Sequence, residues 1–486
     1  MTGFSVWNER LLTSPFPERE WRLFILFWAL CISGGIYFDQ VLLYALPALL
    51  LGAFFFVKDV KPFYYLLLAT LPLSIEFSFS DALGTDLPSE PLMLMLTGAF
   101  LLFAIRESHS IRFNHLFDLL LLVNFCWIIT TIFFAEITLI SVKYALAKFW
   151  YIITFYALAR RFLKAPEDWK KAIWLLLIPL TITHIITLIK FQSYGFAFAD
   201  VNRVVGPFYR NHVNFAALAV VVLPYGWHLF NQYQAKNKLK WVVGLCLLIL
   251  LIGVQFSYTR AAYGALLAGI GMVYLVRWKL VKATIATALI AVTLFVASLL
   301  PHNRFMDIAP DYENTITHFE FSDLINATYK LQDISTMERV YRWVAAFYMI
   351  GERPYVGFGP NNFYDHYKNY TVHAFQTYVS NNPERSGIHS YYLMVAVEQG
   401  IPGLVIYMIL IIVVMIYGER LYHRTLDPVR KSLVITALSS LVVIHTLQTM
   451  NDLIETDKVG PFFFLSMAVM VVVDQLNRKD ENVSIK

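Results

Sequence analysis

The residues of this chain best suited to chemistry are arginines and histidines at the edges of apolar runs. Arg260 stands in Ser257-Tyr258-Thr259-Arg260-Ala261-Ala262-Tyr263-Gly264, where two apolar stretches meet with no real loop between them. A guanidinium at such a boundary is costly unless it snorkels to the polar layer or binds an anion. Its planar fork stays charged and donates paired hydrogen bonds, which suits phosphate. Upstream, the stretch Asn202 to Asn214 brings Arg203, Arg210, His212 and Asn214 to the start of another apolar run. It reads either as an anion site at a helix N-terminus or as a polar loop that caps the helix. Further on, apolar Val340, Trp343, Val344 and Phe347 have helical spacing, and Arg339 and Arg342, three apart, share a face. Glu338 offers them an ordinary ion pair. The Gly- and Pro-rich stretch Glu352 to Asn362 signals a tight turn.

His389 opens the next apolar run. Histidine titrates near neutral pH and can take a proton from a hydroxyl, although at a helix start it also serves as a cap. Tyr391 and Tyr392 follow it. Glu398 lies inside the run near Gly400 and Gly403, where an ionisable side chain points to a functional or supporting polar network. Cys31, Cys126 and Cys246 each sit within apolar sequence and read as small buried hydrophobes. There is no His/Cys metal-ligand spacing, no Gly-x-Ser-x-Gly elbow and no cofactor motif, so neither metal nor cofactor is expected.

The elements that must position these residues are membrane helices. The 486 residues are 58% hydrophobic and only 15% charged, against about 25% charged in soluble domains, and mean hydropathy is +0.57. Many apolar runs reach the roughly 17 to 20 residues that cross a bilayer core, and lipid forces such backbone to pair with itself in helices. The expected fold is an all-α polytopic membrane protein. Its fourteen segments lie near 21–38, 40–57, 62–78, 91–105, 116–135, 144–159, 172–191, 213–230, 241–259, 261–276, 283–300, 389–417, 432–449 and 459–476. Glu76 in the third, and Lys143 and Lys148 around the sixth, make twelve the lower count. No cleavable signal peptide is evident. With the N-terminus in the cytoplasm, the inside connections hold 25 Lys and Arg and the short outside ones 5. The positive-inside rule therefore puts both termini in the cytoplasm and the polar stretch 301–388 outside. The chain divides into N-terminal helices (1–200), helices with outer arginine motifs (201–300), the large outer loop (301–388) and C-terminal helices (389–486). The net charge of +5 is spread over short loops and does not suggest nucleic acid.

The order of these pieces resembles the bacterial O-antigen ligase and O-antigen polymerase superfamily. The resemblance spans roughly residues 200–410. It rests on Arg203 to Asn214, Ser257 to Gly264, Glu338-Arg339 with Trp343, Pro354 to Gly359, and above all His389-Ser390-Tyr391-Tyr392-Leu393 through Glu398-Gln399-Gly400-Ile401-Pro402-Gly403. Two positions depart from the family pattern: Ser390 stands where Asn is usual, and Thr259-Arg260-Ala261-Ala262 where Ser-Arg-Gly-Ala is usual. The resemblance implies an enzyme of the bacterial cytoplasmic membrane. Its donor would be a glycan on a polyprenyl diphosphate, and its acceptor a hydroxyl of a glycan, glycolipid or protein. Transfer would be inverting, without nucleotide or metal. It implies Arg260 and Arg339 as cations for the leaving diphosphate and His389 as base. Arg203, Arg210, Asn214, Arg342, Tyr391 and Glu398 would bind or support substrate. Ligase and polymerase are not separated by sequence. Glu76, Lys148, His184 and Glu398 keep a second class open, a flippase of polysaccharide precursors. A non-catalytic membrane scaffold is a third.

Overall fold

The computed structural model describes residues 25–34, 52–80, 83–106, 114–299, 301, 334–371 and 387–484. The chain falls into two units, Met1–Tyr64 and Tyr65–Lys486. In the first, helix covers Ile25–Gly34 and 52–58, and the Phe56 and Phe63 rings meet edge to face at 5.1 Å.

The second unit is mostly helical. Among the described residues eight helices are long and apolar enough to cross a membrane: Ser89–Arg106, Pro166–Gln192, His212–Asn231, Lys238–Phe256, Val281–Ser298, Tyr391–Arg424, Pro428–Gln448 and Gly460–Asn482. Leu116–Ile132 is a shorter apolar helix. Their ends fall where polar side chains can satisfy free backbone N–H groups. Asn211 accepts from Val213 and Asn214, and Asp427 from Arg430. Pro166 and Pro428 each occupy a first helical position, where a missing N–H costs nothing.

Fourteen spans are therefore not what these residues show. The expected third segment, 62–78, ends early: helix Lys61–Thr70 passes through a 3₁₀ turn at Leu71–Leu73 into an antiparallel hairpin, Ile75–Ser80 with Leu83–Leu87. The hairpin adds β-structure to an otherwise helical unit. Glu76 sits opposite Asp86 in it. Asp86 has its carboxyl pushed up to about 7, first by burial and then by Asp457. The sixth segment is one helical run, Thr138–Tyr151 continuing through a wider π turn at Ile152–Leu158. Segments 21–38 and 40–57 are described only at 25–34 and 52–57, and 302–333 and 372–386 of the expected outer loop lie outside the described residues.

Helix His212–Asn231 lies at the centre and is buried along most of its length. It packs on Lys238–Phe256 and Pro428–Gln448, and the latter also packs on Arg260–Arg277 and Gly460–Ser484. Lipid supplies no hydrophobic force between helices, so close approach and interhelical hydrogen bonds hold them. Gly269 lets the Val443 side chain and the Ser439 carbonyl come close, and the Ser439 hydroxyl donates to the Gly269 carbonyl at 3.0 Å. The Ser440 hydroxyl donates to the Val221 carbonyl at 3.1 Å, and Tyr225 and Ser466 share a hydrogen bond of 2.7 Å.

Candidate active site

The site begins with helix Ile334–Glu352, whose apolar face carries buried Val340, Val344 and Ala345. That face packs on Tyr391–Arg424. Burying it fixes the polar residues between the apolar ones. Arg342 is only 5% exposed. Its Nη1 donates to the Gly387 carbonyl at 3.0 Å, and its Nη2 lies 3.8 Å from Glu338 one turn back. The next residue, Trp343, donates from Nε1 to the Ile388 carbonyl at 3.2 Å. Two successive helix residues thus grip the chain just before His389.

His389 has φ +60, in the left-handed region. Histidine tolerates that region better than branched residues, yet it is uncommon and held only where the surroundings over-determine it. The turn delivers the chain into Ser390, whose carbonyl accepts from Met394 N–H at 2.9 Å as the helix begins. The imidazole is driven down to about pKa 3, first by burial and then by the charges of Arg339 and Arg342. It is neutral at pH 7 and has a lone pair available.

Arg339 and Arg260 both lie within electrostatic reach of His212. His212 opens its own helix, and its N–H and Nδ1 meet Asn202 Oδ1 at 3.1 and 2.7 Å. The Thr259 hydroxyl donates to the His212 carbonyl at 3.4 Å, tying that helix start to the start of Arg260–Arg277. Tyr258, with φ +54 and its hydroxyl on the Phe196 carbonyl, makes the sharp joint that places Arg260 there. Arg210 and Arg342 both act on the partly buried Asp452. Asp452 lies against Gly387, where any Cβ would collide with its carboxylate. Its carboxyl is raised by burial, with Glu455 adding and the two arginines opposing.

The expected residues therefore separate. Arg260, Arg339, Arg342, Arg210 and His389 belong to one electrostatic cluster at one end of the bundle. Arg203 points elsewhere: its side chain is 68% exposed, 3.1 Å from Asp200 and stacked on Tyr194. Asn214 is buried in the first turn of its helix. Tyr391 is 3% exposed. Its hydroxyl is 3.4 Å from that of Tyr144, and its ring faces Tyr407 and Lys148. Lys148 and Tyr144 both reach Glu455 Oε1, at 2.8 and 3.1 Å.

Glu398, 2% exposed, accepts the Phe363 N–H at 3.3 Å. It stands beside a break in the long helix. Gly400 has φ +73, and Pro402 lacks the N–H that would bond back to the Glu398 carbonyl. The carbonyls released on this turn are taken by other segments. Val397 accepts from Phe358 at 3.0 Å, Glu398 from Gly359 at 2.9 Å, and Gln399 from Trp127 Nε1 at 3.0 Å. In return Ile401 N–H donates to the Pro354 carbonyl at 2.8 Å. The turn Arg353–Asn362 is thereby locked onto the helix that follows His389. Asn362 anchors its far end, donating to Ser141 at 2.7 Å and accepting from Ile137 N–H at 2.8 Å.

Sequence reasoning missed Asp452 and Glu455. Their only signal was acid at a junction between two apolar runs, in Asn451-Asp452-Leu453-Ile454-Glu455. Arg339 and Arg342 flank a neutral imidazole, Arg260 joins Arg339 at His212, and Arg210 joins Arg342 at Asp452. Such a set can hold a polyanion and take a proton from a hydroxyl beside it. Residues 245–408 match the family model described as O-Antigen ligase, a segment that includes Arg260, Arg339, Arg342 and His389. No curated protein matches the chain.

Proposed function

We propose that this chain, which the family match and its motif order place in the O-antigen ligase superfamily, transfers a glycan from a polyprenyl-diphosphate carrier to an acceptor hydroxyl. The observation that carries the proposal is the placing of Arg339 and Arg342 on His389 inside the matched segment, with Arg260 linked to Arg339 through their shared action on His212. The acceptor oxygen bonds to the anomeric carbon as the bond from that carbon to the diphosphate oxygen breaks. The bonding pair leaves with the diphosphate, whose growing charge Arg260 and Arg339 offset. The acceptor proton passes to His389, and attack opposite the leaving group inverts the centre. Docking of the diphosphate also offsets the cations that depress His389, which raises its basicity as the donor arrives. Arg342 works through the backbone at Gly387 and is a positioning residue. The site faces outward from the cytoplasmic membrane, a reading supported by the 25 to 5 bias of Lys and Arg between connections. The acceptor is a glycan, glycolipid or protein.

The test is transfer by purified protein in liposomes carrying polyprenyl-diphosphate glycan and candidate acceptors, with His389→Ala alongside. Product from the wild type, absent with the variant and insensitive to EDTA, supports the reading. A single addition marks a ligase and a ladder marks a polymerase. Movement of the donor across the bilayer with no product on any acceptor overturns it.

A further inference from the structure

At the end of the bundle opposite His389 lies a cavity of about 680 Å³. The same helices connect the two ends. Just past the end of Leu116–Ile132, Ala135 lies against Gly359 of the locked turn, whereas Asp118 in its first turn lines the cavity. The wall is apolar, with Leu121, Leu122, Phe125, Phe149 and Ile153. Leu122 is 54% exposed, so this wall opens sideways toward the lipid. The rim is basic. Asp118 is the single acidic residue in the lining, and it is engaged by the Arg160 guanidinium and by the Tyr156 hydroxyl at 2.6 Å. Arg161, Lys164, Arg478 and Lys479 are the other charged lining residues, and all are cations.

Two features shape this rim. The π turn Ile152–Leu158 changes the helical register just before Ala159–Phe162, so that Tyr156 and Arg160 both turn onto Asp118. Such turns occur often at functional sites. The cations come from two chain segments, 160–164 and 478–479, which both line the cavity. An apolar cleft open to the bilayer under a cationic rim fits an anionic lipid: acyl chains in the cleft, phosphate among the cations.

We propose that this cavity is a binding site for an anionic glycerophospholipid. It is separate from the transfer site and unused by the proposed reaction. The placement of the cations on two segments favours a head group that bridges them, and the lateral opening accommodates chains that stay in the bilayer. The orientation proposed above would put this cavity in the cytoplasmic leaflet; the binding itself does not rest on that orientation.

The test is native mass spectrometry of the full-length protein in mild detergent, titrated with phosphatidylglycerol, phosphatidylcholine or polyprenyl monophosphate. Phosphatidylglycerol is expected to be retained in preference to phosphatidylcholine. Removing three rim cations together, Arg161→Gln with Lys164→Gln and Lys479→Gln, is expected to weaken it by about 100-fold. Ala157→Phe, which fills the apolar part without touching charge, is expected to weaken both phospholipids. Thermal unfolding in detergent, unchanged in either variant, shows that the loss is local. Equal retention of the two phospholipids overturns the proposal, as does full retention in both variants. Displacement of phosphatidylglycerol by equimolar polyprenyl monophosphate also overturns it and reassigns the site to the carrier lipid.

Discussion

Arg342 holds Gly387: its guanidinium donates to the Gly387 carbonyl at 3.0 Å, two residues before the left-handed His389. The helix that carries Arg339 toward the cluster therefore also sets where the imidazole stands. The cation stands on this helix, and the segment that carries the base is tied to the same helix by Arg342 and Trp343, so hydrogen bonds fix the two relative to each other.

Arg342→Gln should cut the transfer rate by about 10- to 100-fold, the range of a lost buried hydrogen bond to a charged group. Donor affinity should change less than turnover, since Arg342 reaches backbone. Arg342→Lys should recover only part, because a point charge lacks the fork. Rates and donor affinity measured separately for both variants test this, and equal losses in both parameters would put Arg342 on the substrate.

The pKa of His389, lowered to about 3 mainly by burial and next by Arg339 and Arg342, gives two pH effects. The free histidine titrates near 6.5. As pH falls from about 6.5 toward 3 the unfolded chain takes up a proton that the folded site refuses, so stability present above 6.5 is lost through that window. His389→Gln should melt with less dependence on pH between 7 and 4 than the wild type. Separately, Arg339→Gln removes one depressing charge and should move the acid limb of the free-enzyme rate profile upward, part of the way to 6.5. An unmoved limb would mean that His389 is not the group titrating.

Gly400→Ala should destabilise by more than about 1 kcal/mol. Its φ is +73, and a Cβ there would collide with the Tyr355 carbonyl. Gly357→Ala, with φ +65, drives a Cβ into the Val397 and Glu398 carbonyls and should behave alike. Thermal unfolding, with limited proteolysis inside 353–362, reads both losses. Protection of that turn in either variant would contradict the docking described.

Position should separate the arginines. Arg203→Gln removes an exposed pair with Asp200 and should leave turnover within about twofold. Arg260→Lys should lose about 100-fold, if a fork on diphosphate is what the site uses. Steady-state transfer at equal membrane abundance compares them.

Apolar runs are legible because lipid leaves backbone few choices, and the boundaries of helices such as His212–Asn231 and Arg260–Arg277 lie close to those expected. The error at 62–78 has a definite origin. Ile75 and Phe77 extend an apolar run, but alternation with Glu76 and Ser78 is strand periodicity, and it pairs with Leu83–Leu87. Within the site, Arg260 and His389 were visible as polar residues at apolar edges. The contrast between Arg203 and Arg210 was not, since both precede the same helix and only tertiary packing turns one toward Asp452 and the other toward Asp200. Asp452 escaped notice because its role depends on Gly387, far away in sequence.

The break at Gly400 bears on biogenesis. Val397 lies about 9 Å along the helix from Tyr391, and on that turn Val397, Glu398 and Gln399 give their carbonyls to Phe358, Gly359 and Trp127. A bare carbonyl in hydrocarbon costs several kcal/mol. The span Tyr391–Arg424 can therefore mature only once those partners are in place. Every one of them precedes it in the chain and so leaves the ribosome first. Synthesis order itself delivers the chaperoning surface before the segment that needs it.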